Sequence, residues 1–316
     1  SVIAGELRRR GIPCEVAAKA DRFGKQIRYA DRRGIPFVWF PGEPGAADRR
    51  IQAYNFRVIA TNVPENRLPW PKPPGYDPAR YELLLRYLSS RKPLPEWPKG
   101  RDEVEHPVFG HSLLADPPTV IMPNRKSDSN TKGAVSFNLI GGNYDYPDGD
   151  HATRERIFRE HVSWQQGLCW FVANDPRVPA KYREPMKVWG PARDEFTATG
   201  NWPHQLYIRE ARRMTGEYIL TQHDLQSSRT KYDSIGMAAY NVDIREVQWI
   251  ARTVTRFPRV QREVLMEGYL SMPVEPYEIP YRSLLPRFGD CRNLLVPLAI
   301  SASHVANASF RMEPQY

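Results

Sequence analysis

The chain is poor in cysteine and lacks long apolar runs. Its three cysteines, Cys14, Cys169 and Cys291, are far apart and odd in number, which excludes a disulfide framework and a CxxC metal site and favours a reducing compartment. No run of about 18 apolar residues occurs, so we expect no membrane-spanning segment and no membrane partner. Because no signal peptide follows Ser1, the sequence predicts a soluble, cytoplasmic protein.

Motifs of metal and hydrolase sites are also lacking. His106 and His111 are five residues apart in a proline-rich stretch, without HExxH or another carboxylate spacing, so the sequence predicts no metal site. No GxSxG turn is present, which argues against a Ser–His–Asp hydrolase.

Proline and positive charge are abundant. Thirty of the 316 residues are proline, about twice the usual ~5%, which indicates many loops and broken elements. The net charge is +9, and residues 1–50, with eleven Lys/Arg and six Asp/Glu, contribute +5 of it. Such a basic segment can bind a phosphate backbone, although a solvated helix face would have the same composition.

The spacing of apolar residues predicts a mixed α/β fold. Residues 2–40 read as helix, strand, helix and strand, which favours a parallel α/β layer, and residues 41–50 have the composition of a linker. Asp150 is expected to cap a long helix, in which apolar residues recur every three or four positions. Beyond the linker, the sequence predicts helices over 78–90, 151–174, 179–189 and 206–216, and strands over 51–61, 119–124, 135–142, 217–222, 240–251, 279–286 and 294–301.

Two runs in the first 42 residues carry a resemblance, ELRRRGIPCEV and FGKQIRYADRRGIPFVWFPG, which ends at Gly42. Through them, this segment resembles the C-terminal anticodon-binding domain of histidyl-tRNA synthetases. It implies an anticodon-domain-like fragment at 1–42, followed by a junction at 43–50, and makes nucleic acid a possible partner through residues 1–42 alone. The synthetase's catalytic motifs do not occur in this chain.

Six runs beyond the linker carry a second resemblance: IQAYNFR, PENRLPWPKPPGYDPARYELLLRYL, IGGNYDYPDGDHATRE, WPHQLYIREARRM, TQHDLQ and NLLVPLAISASHVANASFRMEP. Through them, residues 51–316 resemble FAD-dependent oxidoreductases of the kind often labelled xanthan-lyase-like. The resemblance implies FAD as cofactor and a partial Rossmann-like FAD-binding fold with an inserted substrate domain.

The chain departs from that family at its phosphate-binding motif. No GxGxxG stands in the sequence, and Gly141-Gly142 has no third glycine or helix behind it. The glycine-rich turn and its helix hold the cofactor's pyrophosphate, so we expect this chain to retain FAD poorly. The family also continues beyond the RMEP run, where this chain stops. A fusion, a truncated gene and an assembly error would each give this pattern.

The segment from Ser301 to Arg311 is the first candidate site. It follows a predicted strand, and ligands in open α/β sheets gather at the carboxyl ends of strands. The resemblance places this loop beside the flavin, with Ser301, Ser303, Asn307 and Arg311 as cofactor-binding residues. His304 would accept a proton, since its pKa lies near neutrality. The alternatives are ordinary packing for the loop, a structural role for His304 and a salt bridge for Arg311.

Four further residues complete the set of candidates. His223 is a second catalytic candidate, acting with a remote partner because its neighbour Asp224 would point to the other face of a strand. Asn55 and Arg57 would share one strand face, which the resemblance places near the substrate or the flavin; a core edge and the surface are the alternative. Tyr144, in the run NYDY, offers a ring for stacking on a sugar, although a loop tied down by its own hydrogen bonds explains that run equally.

The sequence therefore favours an FAD-dependent oxidoreductase that transfers hydride from a small or carbohydrate-like substrate to flavin. Two alternatives stay open. One is a basic tRNA- or RNA-binding fragment based on residues 1–42. The other is a carbohydrate-binding or lyase-type protein without a redox cofactor.

Overall fold

The computed structural model describes residues 49–89, 122–130, 135, 137–226, 230–256 and 259–310. These residues belong to one compact unit, which spans Arg49–Tyr316. The helices and strands predicted before residue 43 lie outside the described residues, as do His106, His111 and Arg311.

Three of the predicted helices are present. A 3-10 turn at Pro78–Tyr81 leads into α1 (Glu82–Ser89), and Asp77 caps that turn by accepting a hydrogen bond from the Ala79 amide. The longest described helix, α2 (His151–Asn174), begins after Asp150, whose carboxylate accepts from the Thr153 amide at 2.8 Å. This contact confirms the predicted N-cap. Next comes α3 (Ala180–Lys187). Two short helices were not predicted, α4 (Gln222–Gln226) and α5 (His304–Phe310).

None of the helices in the described ranges is long and apolar enough to cross a membrane.

The strands form small antiparallel sheets. In the first sheet β1 (Val58–Thr61) lies between β2 (Lys126–Ser129) and β3 (Gly190–Pro191), with Ala60 opposite both Ser127 and Pro191. The other sheets have two strands each: β4 (Ser234–Ala238) with β9 (Tyr277–Pro280), β5 (Val242–Ile244) with β8 (Leu270–Met272), and β6 (Gln248–Arg256) with β7 (Arg259–Glu267).

The mixed α/β class is confirmed, whereas its Rossmann-like arrangement stays a prediction. Every ladder among the described residues is antiparallel, and one isolated parallel bridge joins Leu220 to Ala302.

Two hydrophobic clusters hold these elements together. The larger one packs the buried face of α2 against α1 and the segment that leads into β1, and it contains Tyr54, Phe56 and Phe171. Aromatic rings meet edge-on between Phe56 and Phe158, at 5.0 Å between centroids. The smaller cluster packs α5 against β5 and β9. Burial of these apolar side chains supplies most of the stabilisation.

Several predicted elements are wrong, one because of a long-range contact and one because of a local turn. Residues 206–216 form no helix, because the Tyr207 amide donates to the carbonyl oxygen of Asn55. Residues 140–148 form turns where a strand was predicted up to 142; there Gly141 has a φ of +83°, and the Gly142 amide donates to the Leu139 carbonyl.

The predicted C-terminal strands also differ from the structure. The run 294–301 contains no strand, and the side chains of Leu294, Leu295 and Leu298 are half or more exposed, so its apolar pattern does not mark a buried strand here. Residues 279–286 continue β9 only to Pro280 and then form a 3-10 turn. Residues 217–222 form a bend and a bridge that lead into α4.

Gly167 provides a test of the packing between α2 and Tyr81. A methyl group at Gly167 would lie 2.1 Å from the Tyr81 hydroxyl oxygen, which is buried and donates to the Trp164 carbonyl at 3.0 Å. Alanine ordinarily stabilises a helix by about 1 kcal/mol relative to glycine. We expect Gly167→Ala to lower the free energy of unfolding by about 1–3 kcal/mol instead, measured by urea denaturation.

Two further variants show whether the clash is the cause. Tyr81→Phe removes the nearest atom and should recover part of the loss in the double variant. Gly236→Ala adds a methyl group in open space and should change stability by less than about 0.5 kcal/mol. A stabilising Gly167→Ala would contradict this packing.

His161 makes the stability depend on pH. It is fully buried in α2, where its Nδ1 donates to the Ile157 carbonyl at 2.7 Å, and burial lowers its pKa to about 4 from 6.5. Between pH 6.5 and pH 4, the unfolded chain therefore binds a proton at this histidine that the folded chain does not bind. The free energy of unfolding falls as the pH drops through this range. The loss amounts to about 3 kcal/mol at pH 4, at 1.36 kcal/mol per pKa unit.

The measurement compares the free energy of unfolding at pH 7 and pH 4. His161→Gln cannot titrate, so it should lose about 3 kcal/mol less than the parent chain over that interval. His151→Gln changes an exposed histidine at the start of α2 and should keep the parental pH dependence. Equal pH dependence in all three proteins would refute the assignment to His161.

Candidate active site

The site is built on the segment 207–213, which lies beside the start of the described chain. Tyr207 and Asn55 form an antiparallel bridge, with 2.8 Å between the Tyr207 nitrogen and the Asn55 oxygen. Arg209 and Glu210 follow this bridge, and their side chains bond to different sets of residues.

Arg209 is 2% exposed and is surrounded by oxygen acceptors. Its guanidinium donates to the Ala53 carbonyl and, at 3.0 Å each, to the side-chain oxygens of Asn55 and Asn138. It also lies 4.8 Å from the centre of the Tyr207 ring. A buried charge is tolerated only when its hydrogen bonds are satisfied, and these contacts hold residues 53–55, 138 and 209 together.

Glu210 lies in an ion-pair cluster with Arg213 and His304, which we call the Glu210 cluster. One carboxylate oxygen, Oε1, is 2.6 Å from His304 Nδ1 and accepts from Arg213 at 2.5 Å. Burial alone would raise the pKa of Glu210, but the hydrogen bond and charge of His304, together with Arg213, hold it below its usual value. The carboxylate is therefore ionised at neutral pH, while the His304 side chain remains 43% exposed.

The predicted 301–311 loop lies against this segment, but most of its polar groups have internal partners. Ser301 is fully buried and accepts from the Gly216 amide, and Ser303 accepts from the Ala306 amide as α5 begins. Asn307 donates to the Arg209 carbonyl at 3.4 Å. From His304 onward the segment is helical, which corrects the prediction of a loop. Arg311 lies outside the described residues.

Buried polar atoms without partners cluster around the same segments. Glu210 Oε2, Asn55 Nδ2 and Gln52 Nε2 are buried and have no hydrogen-bond partner among the described residues. Buried polar groups are almost always hydrogen-bonded, so each exception calls for an explanation. Of these, Glu210 Oε2 belongs to the Glu210 cluster, whereas Asn55 contacts Arg209. Glu210 Oε2 is therefore the atom that a polar ligand at the cluster would satisfy.

Asn55 and Arg57, the predicted substrate residues, both contact the 207–209 segment. Asn55 is fully buried and accepts from Arg209, while the half-buried Arg57 lies 5.9 Å from the centre of the Tyr207 ring. The structure thus brings Asn55 and Arg57 close to the segment that carries Glu210. Their contact with a substrate stays a prediction.

The Tyr144 hydroxyl is hydrogen-bonded to the backbone. It donates to the Val247 carbonyl at 2.6 Å, and its ring covers Gly141. Its neighbour Asn143 is buried and donates to the Gln52 carbonyl. These bonds favour the interpretation of this run as a loop tied down by hydrogen bonds.

His223 lies on α4 and not at the end of a strand as predicted. Its neighbour Asp224 is 2% exposed and pairs with Lys231 at 2.7 Å, and it accepts from Tyr218 and Thr221. Burial opposes the charge of Asp224, but Lys231 and these donors hold its pKa below the usual value. Asp224 thus anchors the local fold, and catalysis by His223 stays a prediction.

Sequence reasoning proposed His304 but did not propose Arg209, Glu210 or Arg213. The run WPHQLYIREARRM contains all three, but residues 206–216 were predicted to form a helix. A charged pair next to a buried backbone bridge could be recognised only from the structure. Among the described residues, no group of three potential ligands could hold a metal ion.

Short stretches of the chain match histidine–tRNA ligases. The enzyme of Cutibacterium acnes is 83% identical over 41 residues, 13% of this chain and 9% of that protein. The Micrococcus luteus enzyme is 64% identical over 55 residues, 17% and 12% of the two chains. The chain thus spans about a tenth of the length of these curated relatives. These matches agree with the resemblance stated for residues 1–42. No solved structure matches the chain.

The profile of a single family covers nearly the whole chain. The family described as FAD dependent oxidoreductase matches residues 6–316. This range includes every residue of the Glu210 cluster and both segments that carry it. The chain therefore belongs to the FAD dependent oxidoreductase family.

Proposed function

We propose that the chain oxidises a hydroxyl group of a small or carbohydrate-like substrate, with His304 as the proton acceptor and FAD as the hydride acceptor. The observation that carries this proposal is the 2.6 Å contact between His304 Nδ1 and the buried carboxylate of Glu210. A half-exposed imidazole held by a buried carboxylate is the arrangement that general-base catalysis requires.

The contact sets the tautomer of His304. A carboxylate accepts the proton on Nδ1, which leaves the lone pair on Nε2 for the substrate hydroxyl. When Nε2 takes the hydroxyl proton, the ring becomes a cation, and the negative charge of Glu210 stabilises it. Glu210 thus acts through His304 as a positioning residue.

Arg213 keeps the carboxylate in place. It donates to the same oxygen of Glu210 at 2.5 Å and also to the Ala302 carbonyl at 3.1 Å. The second bond fixes the backbone two residues before His304. Arg213 therefore links the acid and the base and limits rotation of both.

One unpaired buried atom supports FAD at this place. The acceptor Glu210 Oε2 suits a ring N–H of a flavin or a substrate hydroxyl. Ser301 is a poorer candidate, because its hydroxyl is bound to Gly216. FAD, when bound, supplies a two-electron acceptor.

We also propose how the chain divides into domains. We place a Rossmann-like cofactor region and a substrate region within residues 51–316, after a junction at 43–50 and an anticodon-domain-like fragment at 1–42. The family assignment over residues 6–316 supports the cofactor region. Because the sequence lacks GxGxxG, assays need an excess of added FAD.

The experiment is substrate-dependent bleaching of oxidised flavin without oxygen, with FAD in excess and a panel of alcohols and sugars. We expect His304→Gln to lower the rate by about 100-fold or more, as loss of a general base does. We expect Glu210→Gln to lower the rate less and to shift its pH profile, since the base then loses its charged partner.

His151→Gln, at the exposed start of α2, serves as the matched control and should keep the parental rate. Flavin fluorescence quenching on the same variants separates weak FAD binding from slow chemistry. Parental rates for both His304→Gln and Glu210→Gln would refute the proposed roles.

A second function, binding of tRNA through residues 1–42, is favoured by the short matches to histidine–tRNA ligases. The first 50 residues also contribute +5 of the net charge of +9. We expect the logarithm of the association constant for tRNA to fall linearly with the logarithm of salt concentration. Replacing Arg8, Arg9 and Arg10 by glutamine should weaken binding and flatten that slope.

The control replaces Arg156 and Arg159, two arginines of α2, by glutamine. This variant should bind tRNA as the parent chain does. Binding that is absent at low salt, or equal loss in both variants, would contradict recognition through the first segment.

A further inference from the structure

A separate cavity of about 250 Å³ lies at the end of α2, among residues that neither the Glu210 cluster nor the proposed reaction uses. Three indole rings line it, those of Trp70, Trp170 and Trp189, together with the side chains of Arg67, Asn174 and Lys187. Pockets for drug-sized ligands measure about 300–1,000 Å³. This cavity therefore suits a smaller ligand, of about one ring.

The indole rings are held by the surrounding fold. Trp70 is 3% exposed, and its Nε1 donates to the Met186 carbonyl at 3.1 Å. Trp189 is 6% exposed and directly precedes β3, while Trp170 is half-buried in the last turn of α2. Rigid aromatic walls lose little side-chain entropy when a ligand binds.

The backbone beneath the cavity is tightly packed. The Leu68 amide donates to the Pro191 carbonyl at 2.9 Å. A methyl group on Gly190 would lie 1.8 Å from the Leu68 carbonyl oxygen. This close approach fixes the segment that carries Arg67 against β3, which follows Trp189, so the cavity walls are preformed.

The charge around the cavity is positive. Arg67 is half-buried, and its side chain has no hydrogen bond or ion pair within the described part of the chain. Three acids of the surrounding segments already have cationic partners: Glu184 pairs with Lys187 and Arg183, and Asp194 and Glu195 pair with Lys126. Lys72 adds a further ammonium group, 5.8 Å from the centre of the Trp170 ring.

We propose that this cavity binds a small ring-bearing carboxylate, with the ring against the indoles and the carboxylate on Arg67. Indole faces attract flat or apolar ring faces, and an arginine fork binds a carboxylate through two parallel hydrogen bonds. An aryl acetate and a sugar acid share this chemistry. The inference is independent of the proposed oxidation, because the two sets of residues do not overlap.

The experiment is isothermal titration of the full chain with four probes. Phenylacetate and glucuronate carry the carboxylate, and phenylacetamide and glucose are their neutral counterparts. We expect one carboxylate to bind at least 10-fold more tightly than its neutral counterpart. The preferred pair identifies the ring type, aromatic or sugar.

Two variants test the assigned roles. Arg67→Gln should reduce the affinity for the carboxylate probe at least 10-fold, to the affinity of its neutral counterpart. Trp170→Ala should weaken the binding of both the carboxylate probe and its neutral counterpart. Arg193→Gln replaces an exposed arginine nearby and should bind as the parent does. Thermal unfolding of each variant shows whether the fold is kept.

Three results would overturn the proposal: no heat of binding for any probe at millimolar concentration, equal affinity for charged and neutral members of both pairs, or unchanged carboxylate affinity in a folded Arg67→Gln variant.

Discussion

The constraint on which this structure depends is the burial of the Arg209 guanidinium. A charged group removed from water must have its hydrogen bonds replaced, or the cost amounts to several kcal/mol. Here oxygens from Ala53, Asn55 and Asn138 replace them. These acceptors come from segments far apart in the chain, so satisfying one side chain fixes the positions of residues 53–55, 138 and 209 together.

The position of the candidate active site follows from that constraint. Glu210 is the next residue after Arg209, but its side chain contacts other partners, His304 and Arg213. The Glu210 backbone is held as well, since the Tyr54 hydroxyl donates to the Glu210 carbonyl. The same segment thus carries the buried Arg209 and the carboxylate that contacts the half-exposed His304.

The parts of the fold that local sequence determines were predicted, and those that long-range contacts determine were not. The α2 helix and its Asp150 cap are encoded within about 24 neighbouring residues, so periodicity and capping suffice to predict them. The 206–216 segment has helical spacing, but its backbone pairs with Asn55, more than 150 positions away. Tertiary pairing there overrides local propensity, and it hid Arg209, Glu210 and Arg213.

His304 is a candidate that the sequence proposed with an incorrect local structure. The sequence placed it in a loop after a buried strand, yet residues 294–301 form no strand and α5 begins at His304 itself. The preceding Ser303 hydroxyl accepts from the Ala306 amide and orders the first turn of this helix. The same helix carries Asn307 back to the Arg209 carbonyl, and Arg213 donates to the Ala302 carbonyl just before it. The segment that carries Glu210 therefore holds His304 on both sides, and such rigidity suits the proton transfer proposed for it.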